Sequence, residues 1–389
     1  MFETLDLYCL QQYWWVIVSL LGSLLVFLMF VQGGQTLIFT LGKTEMERKI
    51  LINTLGRKWE FTFTTLVTFG GAFFASFPLF YSTSFGGAYW VWIAILFCFI
   101  IQAVSFEFRT KPSNFLGQRT FEIFLIINGA LGTILIGTAV STFFTGSMFS
   151  VNKLNLTDLQ AGSLAISRWE GPAHGLEAVL NWRNVALGLA IFFLARILGI
   201  LYFLNSVNEP NIISRSKKHM LFNALPFLVF FLAWVFALLL SKGFAVDPVS
   251  GMVALEDMKY LGNFLQMPLV LILFLVGVVL VLLGIACPVF FFKKFGTKGI
   301  WFAGTGTVLT ILSLFFVSGF NNTAYYPSTY DLQSSLTIRN SSSSHYTLTA
   351  MSYVSLLVPF VLAYIVYAWY SINKRKIDIT EMETDSHTY

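Results

Sequence analysis

Long apolar stretches alternate with short polar segments along the whole sequence. Nine stretches are long enough to cross a bilayer, because a helix rises 1.5 Å per residue and about 20 residues span a hydrocarbon core of roughly 30 Å. Short connections on one side make consecutive helices antiparallel neighbours. The pattern predicts an all-α polytopic membrane protein with about nine transmembrane helices in packed bundles, near residues 13–40, 61–82, 87–108, 121–145, 184–206, 220–241, 263–288, 299–320 and 349–372.

Two parts of unequal length are predicted. Residues 1–373 form an integral membrane helical domain, and residues 374–389 form a cytoplasmic charged tail. Proline interrupts the hydrogen bonding of a helix, so prolines inside spans favour kinks that neighbouring helices accommodate. Prolines at such positions are Pro78, Pro226, Pro268 and Pro359.

The composition supports this assignment. Hydrophobic residues make up 56% of the chain and charged residues 11%, with a mean hydropathy of +0.74. A soluble domain carries about 25% charged residues, so the composition excludes a cytosolic enzyme, a nucleic-acid-binding protein and a secreted disulfide scaffold. The three cysteines, Cys9, Cys98 and Cys287, have no C-x-x-C spacing that would indicate a zinc or redox site.

The basic residues are divided unevenly between the two sides of the predicted bundle. Seventeen lie in one set of connections and six in the other, and Arg196 alone lies inside a span. Lys and Arg are enriched in cytoplasmic loops. We therefore expect the N-terminus outside and the C-terminus in the cytoplasm, and the net charge of +5 is a topology signal rather than a sign of an acidic partner.

Polar residues within or beside apolar spans are candidates for function, because ionisable groups are costly in hydrocarbon. Gln32 and Gln35 lie three residues apart and share a helix face. Glu60, Glu107 and Glu122 fall at the same predicted cytoplasmic level, and Gln102 lies near the end of the same span as Glu107. One interpretation is a cytoplasmic proton uptake route through these carboxylates and amides. The alternative is structural.

Helix termini give the structural alternative for the carboxylates. Glu60 and Glu122 lie at predicted helix N-termini, where the macrodipole favours negative charge. Nearby basic residues would neutralise them: Arg57, Lys58, Arg109 and Arg119.

Arg196 is a buried cation in an otherwise apolar span. A guanidinium at that depth needs a carboxylate, several carbonyls or an anionic partner. Two roles stay open, a structural clamp to another helix or subunit and a transport role. None of the four histidines lies deep in a span, where a haem ligand would be expected, and no metal-ligand spacing or nucleotide-binding motif is present.

Several short motifs occur in order on the predicted helices and loops. In the N-terminal half they are Y-W-W at 13–15, E-M-E-R-K-I-L-I-N at 45–53, K-W-E at 58–60, G-G-A-F-F-A-S-F-P at 70–78 and S-F-E-F-R-T-K at 105–111. Near the end are Y-P-S at 326–328 and S-S-L-T-I at 334–338. In this order the chain resembles subunit II of the cytochrome bd-type quinol oxidases, most strongly over residues 1–145.

The chain departs from that family pattern at polar positions. Gln32 and Gln35 stand where the family usually has acidic residues, and Gln102 stands where some members have an arginine. An amide can hydrogen-bond a water molecule but cannot take up a proton at neutral pH. Glu60 and Glu107 are the acidic positions that remain for a proton route.

The resemblance implies a bacterial inner-membrane heterodimer. Its haem-bearing subunit I would oxidise quinol and reduce dioxygen to water, contributing to the proton-motive force. The present chain would bind no haem through its own side chains. It would scaffold subunit I and contribute to a cytoplasmic proton uptake route, and the resemblance leaves room for a bound quinone or lipid and a small accessory subunit.

Two other functions are consistent with the residues. A secondary transporter could use Arg196 for an anionic substrate and Glu60 or Glu107 for proton coupling. Transporters often have broken helices in corresponding halves, whereas here Gly33-Gly34 and Gly70-Gly71 lie in adjacent spans. A purely structural assembly subunit differs from the preferred function only in having no proton role.

Overall fold

A computed structural model describes residues 2–112, 114–156, 165–291, 296–373 and 376–378. Within these ranges, eight helices are long and apolar enough to cross a membrane, and a bent helix pair makes a ninth. The predicted all-α membrane fold with about nine spans is confirmed. The loops add two small antiparallel hairpins.

The helices, numbered in chain order, have the following bounds. The first group is α1 Leu7–Leu28, α2 Phe30–Gln35, α3 Ile38–Leu41, α4 Glu45–Gly56, α5 Trp59–Ser76, α6 Pro78–Phe80, α7 Tyr89–Phe108, α8 Gln118–Ile127 and α9 Thr133–Thr145. The second is α10 Trp182–Ser206, α11 Pro210–Leu239, α12 Lys259–Gln266, α13 Pro268–Phe290, α14 Gly299–Gly319, α15 Ile338–Ser341, α16 His345–Ser355 and α17 Val358–Ile372. Wider helical turns occupy Tyr81–Gly87 and Asn128–Gly132, and short 3₁₀ turns occupy Phe2–Thr4, Lys153–Leu156, Leu176–Leu180 and Leu332–Ser334.

The second predicted span, 61–82, is broken rather than continuous. Helix α5 ends at Ser76, and Pro78 starts a new helical segment that is bent by 116° from the preceding one. Pro268 and Pro359 likewise lie in the first turn of α13 and α17, and only Pro226 of the four prolines lies inside a helix. The expected bend is present at Pro78, where it takes the form of a helix break. Pro268 and Pro359 start helices instead of kinking them, because a proline in the first turn loses no hydrogen bond.

Glycines allow the central helices to approach closely. A Cβ atom at Gly33 of α2 would overlap the Ala195 carbonyl of α10 and the neighbouring amide nitrogen. A Cβ at Gly284 of α13 would lie 2.6 Å from the Ala303 backbone nitrogen of α14. Such contacts are typical of membrane helices, which gain van der Waals packing through small residues at their interfaces. Helix α10 is accordingly among the most buried spans.

The two ends of the bundle differ in chemistry. At one end the basic connections contact one another, since Arg215 pairs with Glu47 and both Arg48 and Arg109 lie beside Glu122. We call this the basic end. The opposite end holds the described parts of the long loops, 146–156, 165–181, 240–258 and 320–344, and we call it the long-loop end.

The long-loop end is ordered by two hairpins and by buried polar contacts. Strand β1 (Phe149–Val151) pairs with β2 (Ser167–Trp169), and β3 (Gly243–Val246) pairs with β4 (Val253–Glu256). The Tyr325 hydroxyl lies 2.8 Å from Ser341 Oγ. The Trp15 ring of α1 contacts the loop residue Tyr325, with ring centres 4.5 Å apart, and Trp15 Nε1 donates to the Phe315 carbonyl of α14 at 3.2 Å.

A short piece of the predicted tail packs on the basic end. The Ile377 amide donates to the Ser206 carbonyl at 2.9 Å, and the Ile377 side chain is buried. Residues 374, 375 and 379–389 of the predicted tail lie outside the described residues. The domain boundary at 373 and the orientation of the two ends therefore remain predictions.

Candidate functional site: a buried amide cluster

Four amide side chains from three spans meet in the interior of the bundle. Gln32 and Gln35 come from α2, Gln102 from α7, and Asn128 from the wider turn between α8 and α9. Gln32 Nε2 donates to Gln102 Oε1 at 2.8 Å, and Asn128 Nδ2 donates to Gln35 Oε1 at 2.8 Å and also to Gln102 Oε1. All four side chains are fully buried. We call them the amide cluster.

Local backbone geometry explains how the cluster forms. The helix widens over Asn128–Gly132, and such single-turn widenings are frequent at functional sites. Gly129 allows this turn to pack on α2, since a Cβ there would overlap the Gln32 carbonyl. Gln102 lies six residues before the end of α7, which places it about 9 Å inside the basic end at 1.5 Å per residue.

Each amide of the cluster has one atom without a hydrogen-bond partner. Two are acceptors, Gln32 Oε1 and Asn128 Oδ1, and two are donors, Gln35 Nε2 and Gln102 Nε2. Buried polar atoms are nearly always hydrogen-bonded, to protein or to ordered water. A water molecule can both donate and accept, so this mixture of donors and acceptors suits bound water better than an ion.

Glu60 and Glu107, the carboxylates predicted for a proton route, lie elsewhere. Both side chains are on the exposed surface of the bundle. Glu107 pairs with Lys111 at 3.3 Å, and 61% of its side chain is exposed. The structure thus brings Gln32, Gln35 and Gln102 together, whereas the carboxylates of Glu60 and Glu107 lie on the exposed surface of the helix bundle.

Glu122 forms ion pairs with basic residues, as the structural alternative predicted. Its Oε1 lies 3.2 Å from Arg109 Nη1, and its Oε2 lies 3.6 Å from Arg48 Nε. Both the Arg109 and Glu122 side chains are buried. Arg109, one of the four basic residues that the sequence suggested as partners for the carboxylates, therefore neutralises Glu122. The pair also holds the end of α7 against the start of α8.

Arg196 contacts polar groups on two other elements. Its Nε donates to Asn223 Oδ1 of α11 at 2.6 Å, and its Nη1 donates to Thr36 Oγ1 at 2.9 Å. The guanidinium also lies 5.4 Å from the centre of the Phe192 ring. Among the described residues, no Asp or Glu forms an ion pair with it. The amide and the hydroxyl hold the guanidinium but do not neutralise it.

Asn128 is the member of the amide cluster that sequence reasoning missed. The sequence signal for Asn128 was a polar amide inside the apolar run 121–145, and polarity within an apolar run is also the criterion that selected Gln102.

The described part of the chain contains no group of three or more His, Cys, Asp or Glu side chains placed to hold a metal ion. His174 instead lies with its Nδ1 3.1 Å from the Gly87 carbonyl oxygen.

Comparisons with known proteins agree on one family. A family model described as cytochrome bd terminal oxidase subunit II matches residues 10–372. The chain is 26% identical to cytochrome bd-I ubiquinol oxidase subunit 2 of Escherichia coli K12 over 99% of each chain. It is 25% identical to cytochrome bd ubiquinol oxidase subunit 2 of Bacillus subtilis over 94% of this chain and 96% of that one.

The fold agrees with this sequence relationship. A chain of the bd oxidase from Geobacillus thermodenitrificans superimposes with a TM-score of 0.55 at 11% identity, covering 94% of this chain and 98% of that chain. A multi-pass bacterial inner-membrane location follows from the family and the apolar helices, and the secondary transporter alternative is not favoured. The chain belongs to the cytochrome bd terminal oxidase subunit II family and is the subunit II of a bd-type quinol oxidase complex.

Proposed function

We propose that this subunit II supports a haem-bearing subunit I in two ways, as a docking scaffold and through a hydrated segment of a proton uptake route. Subunit I would hold the haems, oxidise quinol and reduce dioxygen to water. The observation that carries the proton role is the amide cluster, with four buried amide atoms that lack protein partners.

The amides would act through water rather than by titrating. Gln32, Gln35, Gln102 and Asn128 cannot carry a proton at neutral pH, but bound water that they orient can pass one along a hydrogen-bonded chain. The seventeen basic residues on one set of connections support a cytoplasmic basic end and an N-terminus outside. The amide cluster would then lie about 9 Å from the cytoplasmic side, where protons for water formation are taken up.

Glu60 and Glu107 would serve this route only from the surface of the bundle. Both are exposed near the basic end, where a partner subunit can cover them. A carboxylate at the junction of two subunits could collect protons and pass them to a hydrated interior. In the alternative without a proton role, the same carboxylates would only interact with neighbouring cations, as Glu107 does with Lys111.

Replacing Gln102 with methionine tests the proton role. Methionine keeps the length of the side chain but removes its hydrogen bonds, so we expect the water chain to break and oxygen consumption per haem to fall at least threefold. The solvent deuterium isotope effect on turnover should rise, because proton delivery becomes rate-limiting. Gln118→Met, at an exposed position on α8, is the matched control.

The comparison is made on purified complex with turnover normalised to haem content. Unchanged turnover and isotope effect in the Gln102→Met enzyme would assign the amide cluster a purely structural role. A loss of haem-bearing complex without a change in turnover per haem would lead to the same conclusion.

Helix α17 is the proposed scaffold surface. None of its residues is buried, and its exposed face carries Phe360, Tyr364, Tyr367 and Tyr370. The tyrosines follow one another at three-residue spacing and so lie along one side of the helix. A phenol hydroxyl within the membrane needs a hydrogen-bond partner that lipid chains do not supply. A helix of subunit I would supply hydrogen-bond partners for the tyrosine hydroxyl groups and would also make aromatic contacts.

Replacing Tyr364, Tyr367 and Tyr370 together with leucine tests this surface. Leucine is well tolerated facing lipid, so the chain should still insert, but we expect at least a fivefold loss of haem-bearing subunit I co-purified with it. Leucine at Tyr330 and Tyr346, exposed tyrosines outside α17, is the control. Haem absorbance per tagged chain is measured. Full haem recovery with the triple variant would rule out α17 as the docking surface.

An apolar cavity supports the expectation of a bound lipid or quinone. It has a volume of about 160 Å³ and lies among α10, α11, α13 and α14, lined by side chains such as Leu194, Phe231 and Val281. An apolar chain would fill it without needing polar contacts. Of the partners, a small accessory subunit is implied only by the family resemblance.

A further inference from the structure

A concentration of positive charge surrounds Arg196 on the membrane side of the basic end. Asn223, which accepts from Arg196 Nε, donates to the carbonyl of His219 at 2.7 Å, and Lys218 precedes His219 on α11. Lys43 lies at the same end of α11, because Glu47 accepts from both the Lys43 amide and Arg215. The four residues Lys43, Arg196, Lys218 and His219 come from three parts of the chain, the start of the α3–α4 connection, α10 and α11. We call them the Arg196 cluster. It gathers cations where the membrane environment makes uncompensated charge costly.

The contacts of Arg196 leave its charge uncompensated. Asn223 and Thr36 accept hydrogen bonds from Nε and Nη1, and both partners are neutral. Arg196 is half-buried, so a ligand can reach it from the side. Among the described residues, no Asp or Glu is placed to neutralise it. The missing counter-charge must come from outside this part of the chain.

The position of the Arg196 cluster matches the headgroup layer of a bilayer leaflet. Asn223 lies five residues beyond Lys218 on α11, which is about 8 Å along the helix axis. Long basic side chains near helix ends extend toward the interface. A phosphate between Lys218 and Arg196 would thus lie at the inner edge of the headgroup region.

The surface next to the Arg196 cluster suits acyl chains. Leu221, Phe222 and Leu225 on α11 are each more than half exposed. Phe222 also lies beside His219, with ring centres 5.9 Å apart. A phosphate held by cations with apolar side chains alongside is the pattern of a basic lipid pocket between transmembrane helices. An acidic side chain of a partner would not need this apolar flank.

We propose that the Arg196 cluster binds the phosphate of an anionic phospholipid, whose acyl chains lie along the exposed face of α11. Arg196 contributes the deepest contact and is itself oriented by Asn223 and Thr36. Lys43, Lys218 and His219 surround the headgroup. The lipid thereby neutralises the guanidinium and joins α10 and α11 to the chain that follows α2.

The first experiment measures lipid retained by the purified oxidase complex. Wild type, Arg196→Gln and Arg183→Gln are compared by extracting and quantifying anionic phospholipid per complex. Glutamine keeps an amide donor for Asn223 and Thr36 but removes the charge. Arg183 lies on the same helix near its other end and is the matched control. We expect Arg196→Gln to lose about one equivalent of anionic lipid and Arg183→Gln to retain the wild-type amount.

The second experiment uses the wild-type complex and so does not depend on a variant that folds. The complex is placed in discs of zwitterionic lipid, and phosphatidylglycerol or inorganic phosphate is then added. Phosphatidylglycerol, but not inorganic phosphate, should raise the Tm of the complex, because a ligand that binds only the folded state stabilises it. An equal rise with inorganic phosphate, or no rise with phosphatidylglycerol, would overturn the proposal. So would equal lipid retention by Arg196→Gln.

Discussion

Replacing Gly33 with alanine is expected to reduce accumulation of the folded subunit to less than a tenth of the wild-type amount. The added methyl group would overlap the carbonyl of Ala195 and the amide nitrogen of Arg196, both of which are backbone atoms of α10. Backbone cannot rotate away as a side chain can, so α2 and α10 would have to separate. That separation would also displace Gln32 and Gln35 from the amide cluster.

Gly71→Ala is the matched control for this prediction. Gly71 is also a helical glycine within an apolar span, but a Cβ there has no heavy atom within 4 Å. Alanine has the higher helix propensity, by about 0.5–1 kcal/mol, so this variant should accumulate at the wild-type level. The measurement is the amount of membrane-inserted, haem-associated chain. Equal accumulation of both variants would show that α2 and α10 are packed differently.

The same two glycines show where sequence interpretation reaches its limit. Gly33-Gly34 and Gly70-Gly71 are identical dipeptides in neighbouring apolar runs. One pair is packed against the α10 backbone, whereas Gly71 faces open space. Hydropathy locates the runs because the bilayer imposes their length. It does not show which helices touch, since that depends on the tertiary arrangement.

Helix breaks were less predictable than helix positions. The run over 61–82 is mostly apolar, so it was predicted as one span with a kink at Pro78, yet the chain turns by 116° between α5 and the segment starting at Pro78. Proline suits both a kinked helix and the first turn of a new one. The surrounding bundle decides between them, here with Phe77 fully buried beside Trp15 and Tyr325.

The amide cluster was partly predictable, and the reason is physical. Gln32, Gln35 and Gln102 are polar in apolar runs, and burying such groups requires polar neighbours. That rule indicates that they have partners but does not identify the partners. Asn128 meets the same rule and completes the cluster. The exposure of Glu60 and Glu107 depends on helix rotation, which weak amphipathicity in a membrane span leaves undetermined.

Replacing Glu122 with glutamine is expected to destabilise the complex by about 3–5 kcal/mol, the cost of removing one partner of a buried ion pair. The carboxylate lies 3.2 Å from Arg109, whose side chain is 1% exposed, and 3.6 Å from Arg48. Glutamine has nearly the same shape but no charge. Two cations would then remain close together without the carboxylate between them, and the loop that joins α7 to α8 would loosen.

Glu107→Gln makes the same chemical change fifteen residues earlier, in a pair whose side chains are 53% and 61% exposed. Exposed pairs contribute about 0–1 kcal/mol, so its Tm should match wild type, whereas Glu122→Gln should lower the Tm on the order of 5 °C or more. Thermal unfolding of the purified complex measures both. Equal Tm values would mean that water or another subunit already reaches Glu122 and screens its charge. A selective loss at Glu122 would instead show that this buried carboxylate stabilises the basic end, whatever role Glu107 has in proton uptake.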